Sequence, residues 1–326
     1  MAWLVTGGAG FIGSHLVEAL VARGERVRVL DDFSTGRWEN LAAVRDRIEV
    51  IRGDIRDPLT VGQAVDGVRV VVHLAARVSV EQSLQNPRET MEVNSGGTLN
   101  LLEAARRTGV ARFLFASSAA VYGDHTRLPL REDRPLGPLS PYAASKVAGE
   151  ALCHAYRAAY GLPVVILRFF NIYGPRQDPQ SPYAGVISIF VGRMRRGLPP
   201  IIYGDGQQTR DFVYVGDVVE ALIRAGEQER AVGSVLNIAW GKETSLLRLV
   251  ALLNRVLGTD LRPEFAPPRS GDIRRSAGDS RRAQALLGWR PSVGLAEGLS
   301  RLVGGGEITD DGKSKSPEGT TAEGDG

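Results

Sequence analysis

A single cysteine, Cys153, excludes an intrachain disulfide and any metal site built on several thiolates. It fits a reducing compartment and is expected to be a small buried apolar residue; no metal site is expected. The chain has no stretch of 18 apolar residues. Its amino terminus runs Met1-Ala-Trp-Leu-Val into glycines without a basic region, an apolar run or a cleavage site. Neither a membrane span nor a signal peptide is therefore expected, and the expected location is the cytoplasm. Lysine is also scarce, with four against 36 arginines in 326 residues. Two of the four fall in 304–326, a run of glycines, acids and small polar residues expected to be a disordered tail. That tail holds six acids and two lysines, net −4, which leaves +7 on residues 1–303 of a chain whose total is +3. The surplus suits an anionic ligand, but the arginines are scattered, which argues against a nucleic-acid surface. Where lysine is so avoided, a retained one such as Lys146 points to what arginine cannot do, namely act as a compact ammonium whose pKa can be tuned.

Apolar residues at 43% and charged residues at 24% are ordinary for a globular chain and exclude collagen-like and coiled-coil structure. Short apolar runs at 2–6, 27–30, 48–51, 68–74, 112–117 and 164–169 alternate with segments of helical period, among them 98–107 and 142–160. Six strands separated by helices predict an α/β fold with a Rossmann-type, doubly wound parallel sheet, because parallel neighbours need a crossover. Beyond Asn171 the pattern loosens, with helices expected at 186–196, 217–225, 246–257 and 281–287 and a strand at 235–238. The expected organisation is a dinucleotide-binding domain over 1–170, with 211–240 packing back onto it, and a smaller α/β substrate-binding region over 171–210 and 241–303.

Glycines at Gly7, Gly10 and Gly13, spaced GxxGxxG around Phe11 and Ile12, stand between the first strand and a helix. That turn lets backbone approach a pyrophosphate at a helix N-terminus. Eighteen residues on, Asp31 closes the second strand, where a carboxylate accepts both ribose hydroxyls and repels a 2′-phosphate. NAD is therefore expected over NADP, with Asp32 beside the ribose, Asp54 and Ile55 at the adenine, and Leu74, Ala75 and Ala76 along the flank. Each of these last positions reads equally well as an ordinary strand end. Further along, Ser117-Ser118-Ala119-Ala120 ends a strand, and Ser140-Pro141-Tyr142 starts a helix that brings Lys146 one turn from Tyr142. An ammonium near a phenol lowers its pKa toward neutrality and makes a usable base, and a neighbouring hydroxyl can share the proton.

On these residues the chain resembles the extended short-chain dehydrogenases/reductases of the NAD-dependent sugar epimerase/dehydratase family, over about 2–303. The resemblance implies Ser118, Tyr142 and Lys146 as catalytic trio, Asn94 as a residue that organises it, and Phe169 at the cofactor. It also implies a nucleoside-diphosphate sugar under the C-terminal region and a homodimer paired through helices at about 90–107 and 142–160. In the family's 4,6-dehydratases an Asp-Glu pair follows the catalytic hydroxyl, and the decarboxylases keep the glutamate; here those positions are Ala119 and Ala120. What remains is oxidation and re-reduction at one carbon. The substrate-side segments resemble the UDP-hexose 4-epimerase branch: Asn171 in Phe-Phe-Asn, Arg210 in Gln-Thr-Arg-Asp-Phe, and Arg269 and Asp272 in Arg-Ser-Gly-Asp. Two guanidiniums suit a diphosphate. Tyr203 either flanks the uracil or packs in a core. Ser276 takes the place of a bulky tyrosine in the family and, with Ser79 on the other wall, leaves room for an N-acetyl group. The expected reaction is C4 epimerisation of UDP-glucose/UDP-galactose, with UDP-GlcNAc/UDP-GalNAc also accepted. The alternatives are a UDP-glucuronate 4-epimerase, hinted at by Arg176, another nucleotide-sugar oxidoreductase, and a silent NAD-binding scaffold, against which the intact trio speaks.

Overall fold

The apolar runs become strands in the computed structural model, which describes residues 2–177, 185–268 and 273–304. The first half contains β1 (Ala2–Thr6), α1 (Phe11–Ala22), β2 (Arg26–Asp31), β3 (Ile48–Arg52), α2 (Pro58–Val65), β4 (Val70–His73), α3 (Val80–Gln85), α4 (Pro87–Met91), α5 (Gly97–Thr108), β5 (Arg112–Ser118), α6 (Pro141–Tyr160) and β6 (Val164–Phe169). The second contains β7 (Asn171–Tyr173), α7 (Val186–Met194), β8 (Ile201–Tyr203), β9 (Thr209–Arg210), β10 (Phe212–Tyr214), α8 (Val215–Glu227), β11 (Val235–Ile238), β12 (Thr244–Ser245), α9 (Leu246–Leu257), β13 (Glu264–Ala266), α10 (Arg281–Leu287) and α11 (Leu295–Val303).

Seven parallel strands join in the order β11-β6-β5-β4-β1-β2-β3. Six were expected. The seventh is β11, registered against β6 from Val235↔Ile166 to Ile238↔Phe169. A four-residue strand gives no local sign of which sheet it joins. The outer edge of β6 decides the matter, because its unpaired backbone groups need a partner and α8 carries the chain back to supply one. β4 and β6 are buried on both faces, which is why they read as nearly continuous apolar runs, broken only by His73 and Arg168. Strand order reverses between β1 and β4, opening a crevice at the carboxyl ends of the sheet.

Three two-stranded ladders, β7–β10, β8–β13 and β9–β12, sit with α7, α9 and α11 over that end. Tyr173, Phe190, Met194, Leu249, Leu253 and Leu299 fill their core. Cys153 is buried and unpaired. Among the described residues no helix is long and apolar enough to cross a membrane, and no cluster of ligating side chains could hold a metal. Arg269, Asp272 and the expected tail from 305 onward lie outside the described residues.

Candidate active site

The crevice is a cavity of about 840 Å³. It runs from the turn after β1 and the end of β2, past Leu74–Val78 and Ser117–Ser118, to Tyr142, Lys146, Phe169 and Arg176. Gly7, Gly10, Phe11, Ile12, Gly13, Asp31, Asp32, Asp54, Ile55, Leu74, Ala75 and Ala76 all line it. The turn is tight: a Cβ on Gly13 would lie 2.1 Å from the Gly7 carbonyl oxygen. Glycine backbone therefore borders the cavity beside Phe11 and Ile12, where α1 points its free N–H groups, a place suited to a pyrophosphate. Asp31 is buried, and its two oxygens accept from the Ala9 N–H (2.9 Å) and the Phe33 N–H (2.8 Å). Burial pushes its carboxyl up, and these two bonds oppose the rise. Asp54 is held below the usual carboxylate range by its bonds to Arg56.

Ser118 ends β5, and α6 brings in Tyr142 and Lys146. The Ser140 hydroxyl caps α6 by accepting from the Ala143 N–H at 3.1 Å, with Pro141 in the first turn. Gly149 lets α6 lie on β5, since a Cβ there would meet the Phe115 ring at 2.3 Å. That approach allows Lys146 Nζ to donate to the Ala116 carbonyl at 2.8 Å, 5.3 Å from the Phe115 ring centroid. Burial pulls the Lys146 pKa down to about 8, against the opposing field of Glu150. The Tyr142 phenol differs from expectation: burial raises its pKa, and the group that opposes the rise is the Ser118 hydroxyl through a hydrogen bond, not the lysine. The cause is geometric, because the ammonium is turned to the β5 carbonyl.

Asn94 does not line the cavity. It sits on a π-turn (Glu92–Gly96), accepts from the Arg77 N–H, and donates to the Arg77 carbonyl and the Ser145 hydroxyl. It thereby ties the loop after β4 to α6 beside Lys146. Of the described residues expected on the sugar side, Ser118 alone lines the cavity. Ser79 caps α3 through Gln82, Asn171 is exposed on β7, and Tyr203 lies on β8. Arg210 donates to the carbonyl of Ile273, the residue after Asp272. Ser276 is buried next to the backbone that Asp211 ties together by accepting from the Trp240, Gly241 and Gly278 N–H groups.

Several cavity residues escaped the motifs. Arg77 donates to Ser34 Oγ at 3.1 Å and to Glu89 at 3.0 Å, joining the ribose-side loop to α4, and Arg37 and Asn40 line the same end. Below the trio, Glu150 and Arg168 form a buried ion pair. Their signal was available, a carboxylate four residues after Lys146 and one guanidinium inside the otherwise apolar β6.

A glycine turn at a helix N-terminus, an acid closing β2 and a Ser-Tyr-Lys set at the end of β5 define a dinucleotide-dependent enzyme on a Rossmann sheet. The model of the NAD dependent epimerase/dehydratase family matches residues 3–239, and the chain belongs to that family. NAD is its cofactor, and the glycine cradle and the Asp31 carboxylate fit it. A curated relative, the UDP-glucose 4-epimerase of Mycolicibacterium smegmatis, is 45% identical over 307 residues, 93% of this chain and 97% of that one. The Thermotoga maritima UDP-glucose 4-epimerase, solved with UDP-glucose, is 40% identical, with a TM-score of 0.89 over 93% of this chain and 98% of the other. A UDP-N-acetylglucosamine 4-epimerase from Methanobrevibacter ruminantium, solved with UDP-N-acetylmuramic acid, is 36% identical, with a TM-score of 0.89 over 93% and 97%.

Proposed function

We propose that this enzyme epimerises C4 of a UDP-hexose, UDP-glucose/UDP-galactose, and also takes UDP-GlcNAc/UDP-GalNAc. The observation that carries the reading is the meeting of Ser118, Tyr142 and Lys146 at the cavity wall with alanines at 119 and 120. The site has a base but no acid beside it for removing water or carbon dioxide. Tyr142 takes the proton of the 4-hydroxyl, and Ser118 shares it through the bond between the two hydroxyls. Lys146, one helical turn on and bonded to the Ala116 carbonyl, supplies the positive charge of the site. NAD⁺, which the Gly7–Gly13 turn and Asp31 would hold, would supply reversible hydride transfer at C4, so that the proton chemistry of these side chains could run in both directions. Ser79, Asn171, Tyr203, Arg210, Arg269 and Asp272 are the proposed contacts to the UDP-sugar. Relatives named for UDP-glucose and UDP-N-acetylglucosamine support both substrate classes.

Purified protein is to be incubated separately with UDP-glucose, UDP-GlcNAc and UDP-glucuronate, and the products separated by anion exchange. The expected result is the 4-epimer from the first two without net NADH; no conversion even with NAD supplied would sink the reading. The uronate arm has its own motive. Arg176 Nη2 is held by Glu18 at 2.6 and 2.7 Å, but Nη1 has no partner among the described residues, and the side chain lines the cavity. Conversion of UDP-glucuronate alone would favour that second reading.

Ser276→Tyr is expected to lower kcat/KM for UDP-GlcNAc at least ~10-fold relative to UDP-glucose, the cost of overfilling a pocket by roughly 1–3 kcal/mol. An unchanged ratio would remove Ser276 from the sugar pocket. The same reading pairs two copies through α5 and α6, whose exposed residues include Leu99 and Tyr160.

A further inference from the structure

Beneath the trio lies a polar cluster for which the proposed chemistry has no use. Glu150 stands one helical turn below Lys146 on α6 and is buried, with 3% of its side chain exposed. Its Oε1 accepts from Ser117 Oγ (2.5 Å) and Arg168 Nε (2.9 Å), and its Oε2 accepts from Arg168 Nη2 (2.7 Å). Arg168 comes from β6, the second strand from the sheet edge. It also donates to the Glu132 carbonyl at 3.2 Å and lies 4.8 Å from the Tyr122 ring centroid. Tyr122 in turn donates to Asn237 on β11 at 2.7 Å. A buried ion pair of this kind is weak as a source of stability, since desolvation offsets most of the attraction, and an apolar pair of like volume would serve packing as well. Its position suggests another use.

We propose that Glu150 is a positioning residue for the reaction: clamped by Arg168 and Ser117, its carboxylate fixes a negative charge under Lys146 and keeps that lysine an ammonium at the cavity wall. The inference rests on the role given to Lys146 above. Among the described residues no other group near the lysine supplies this charge. On α6, Cys153 is buried and its thiol is pushed well above the usual range by burial, so it stays protonated, and burial raises the Tyr142 phenol against its hydrogen bond with Ser118. From β4, His73 sits between Thr6 and Thr98 hydroxyls, and burial lowers its pKa to about 3, which makes it neutral. From β5 come only the Ala116 carbonyl, the Phe115 ring and the hydroxyls of Ser117 and Ser118. From β6 comes Arg168, whose charge Glu150 already meets. Of the groups that oppose the effect of burial on Lys146, Glu150 has the largest effect.

The lysine scarcity makes a direct test practical. In the full chain labelled with ¹³C at lysine Cε, only four lysines contribute signals, and that of Lys146 is assigned by its loss in Lys146→Met. In Glu150→Gln the Lys146 midpoint is expected to fall by about one pH unit, the usual effect of removing an opposite charge at this range. Glu150→Asp, which restores the carboxylate, should return most of that shift. Should Glu150→Gln fail to fold because Arg168 is left buried and unpaired, Glu150→Gln/Arg168→Met removes the pair as a unit, and a smaller fall of the same sign is expected, because the opposing field of the guanidinium goes with the carboxylate. A midpoint within ~0.3 units of wild type in whichever variant folds overturns the proposal, as does failure of Glu150→Asp to restore it. The titration needs no turnover, so it stands or falls separately from the epimerase reading. Where turnover is measured, the alkaline limb of kcat should move to lower pH in Glu150→Gln with KM unchanged; a uniform loss at every pH marks a merely structural role and counts against the proposal.

Discussion

Replacing Tyr142 by phenylalanine should lower kcat for epimerisation by about 10³-fold, within the range that a positioned acid–base group contributes. The loss should come without loss of fold or of NAD. Tyr142 is half-buried and its ring stays in place on α6; what disappears is the hydroxyl and its bond to Ser118. A single such bond is worth about 1 kcal/mol, so the melting temperature should move by only a few degrees. Steady-state product formation, with NAD content read by absorbance, checks both halves. A variant that keeps more than a tenth of the wild-type kcat would remove the phenol from the reaction and shift attention to Ser118 as the proton acceptor.

Gly13→Ala should have the other large effect, through structure rather than chemistry. The added methyl would meet the Gly7 carbonyl oxygen at 2.1 Å, the Gly8 Cα at 2.7 Å and the Gly7 carbonyl carbon at 2.9 Å, all backbone atoms. The clash cannot be relieved by a rotamer change. The helix must move off the turn, yet Leu16, Val17, Leu20 and Val21 on α1 are locked into the main core. We expect roughly 3 kcal/mol of destabilisation, the upper end for an overpacked site. A displacement of the phosphate cradle by about an ångström should weaken NAD binding on the order of 100-fold, judged by what comparable misplacements cost. Calorimetric titration with NAD and denaturant unfolding read the two effects. Gly24→Ala is the matched control: Gly24 has φ +78° but nothing within 4 Å of an added Cβ, so it should cost only about 1 kcal/mol of backbone strain and leave NAD binding intact.

How far residues could be read ahead of the structure depended on the range of the forces involved. The turn at Gly7–Gly13, Asp31 at the end of β2 and the Ser140-Pro141 start of α6 were legible because each is a local pattern with a local physical cause. β6, α9 and α10 fall where their apolar period placed them. The two- and three-residue strands β7, β9, β10, β12 and β13 were not legible, since so few residues carry no period, and β11 could not be assigned to its sheet without knowing that β6 had an open edge. The pKa of Tyr142 went the other way from expectation for a related reason. Helical spacing puts Lys146 near the phenol, but whether an ammonium faces a phenol or a carbonyl is settled by the neighbouring strand. Glu150 and Arg168 were visible as charges in apolar stretches, but their partnership links a helix to a strand 18 residues later and needed the fold.

The late arrival of β11 also has a bearing on how the chain is made. β6 is complete at Phe169 and its partner begins at Val235, so 65 residues separate a finished strand from the one that covers it. At about 5–20 residues per second of synthesis, the apolar edge Val164–Phe169 stays open for roughly 3–13 s on a translating ribosome. In that interval Val-Val-Ile-Leu-Arg-Phe is a template for pairing with any other exposed strand, and its one interruption is Arg168. The guanidinium that meets Glu150 in the finished protein thus doubles as a gatekeeper in the nascent chain, where a charge in the middle of an apolar strand slows self-association.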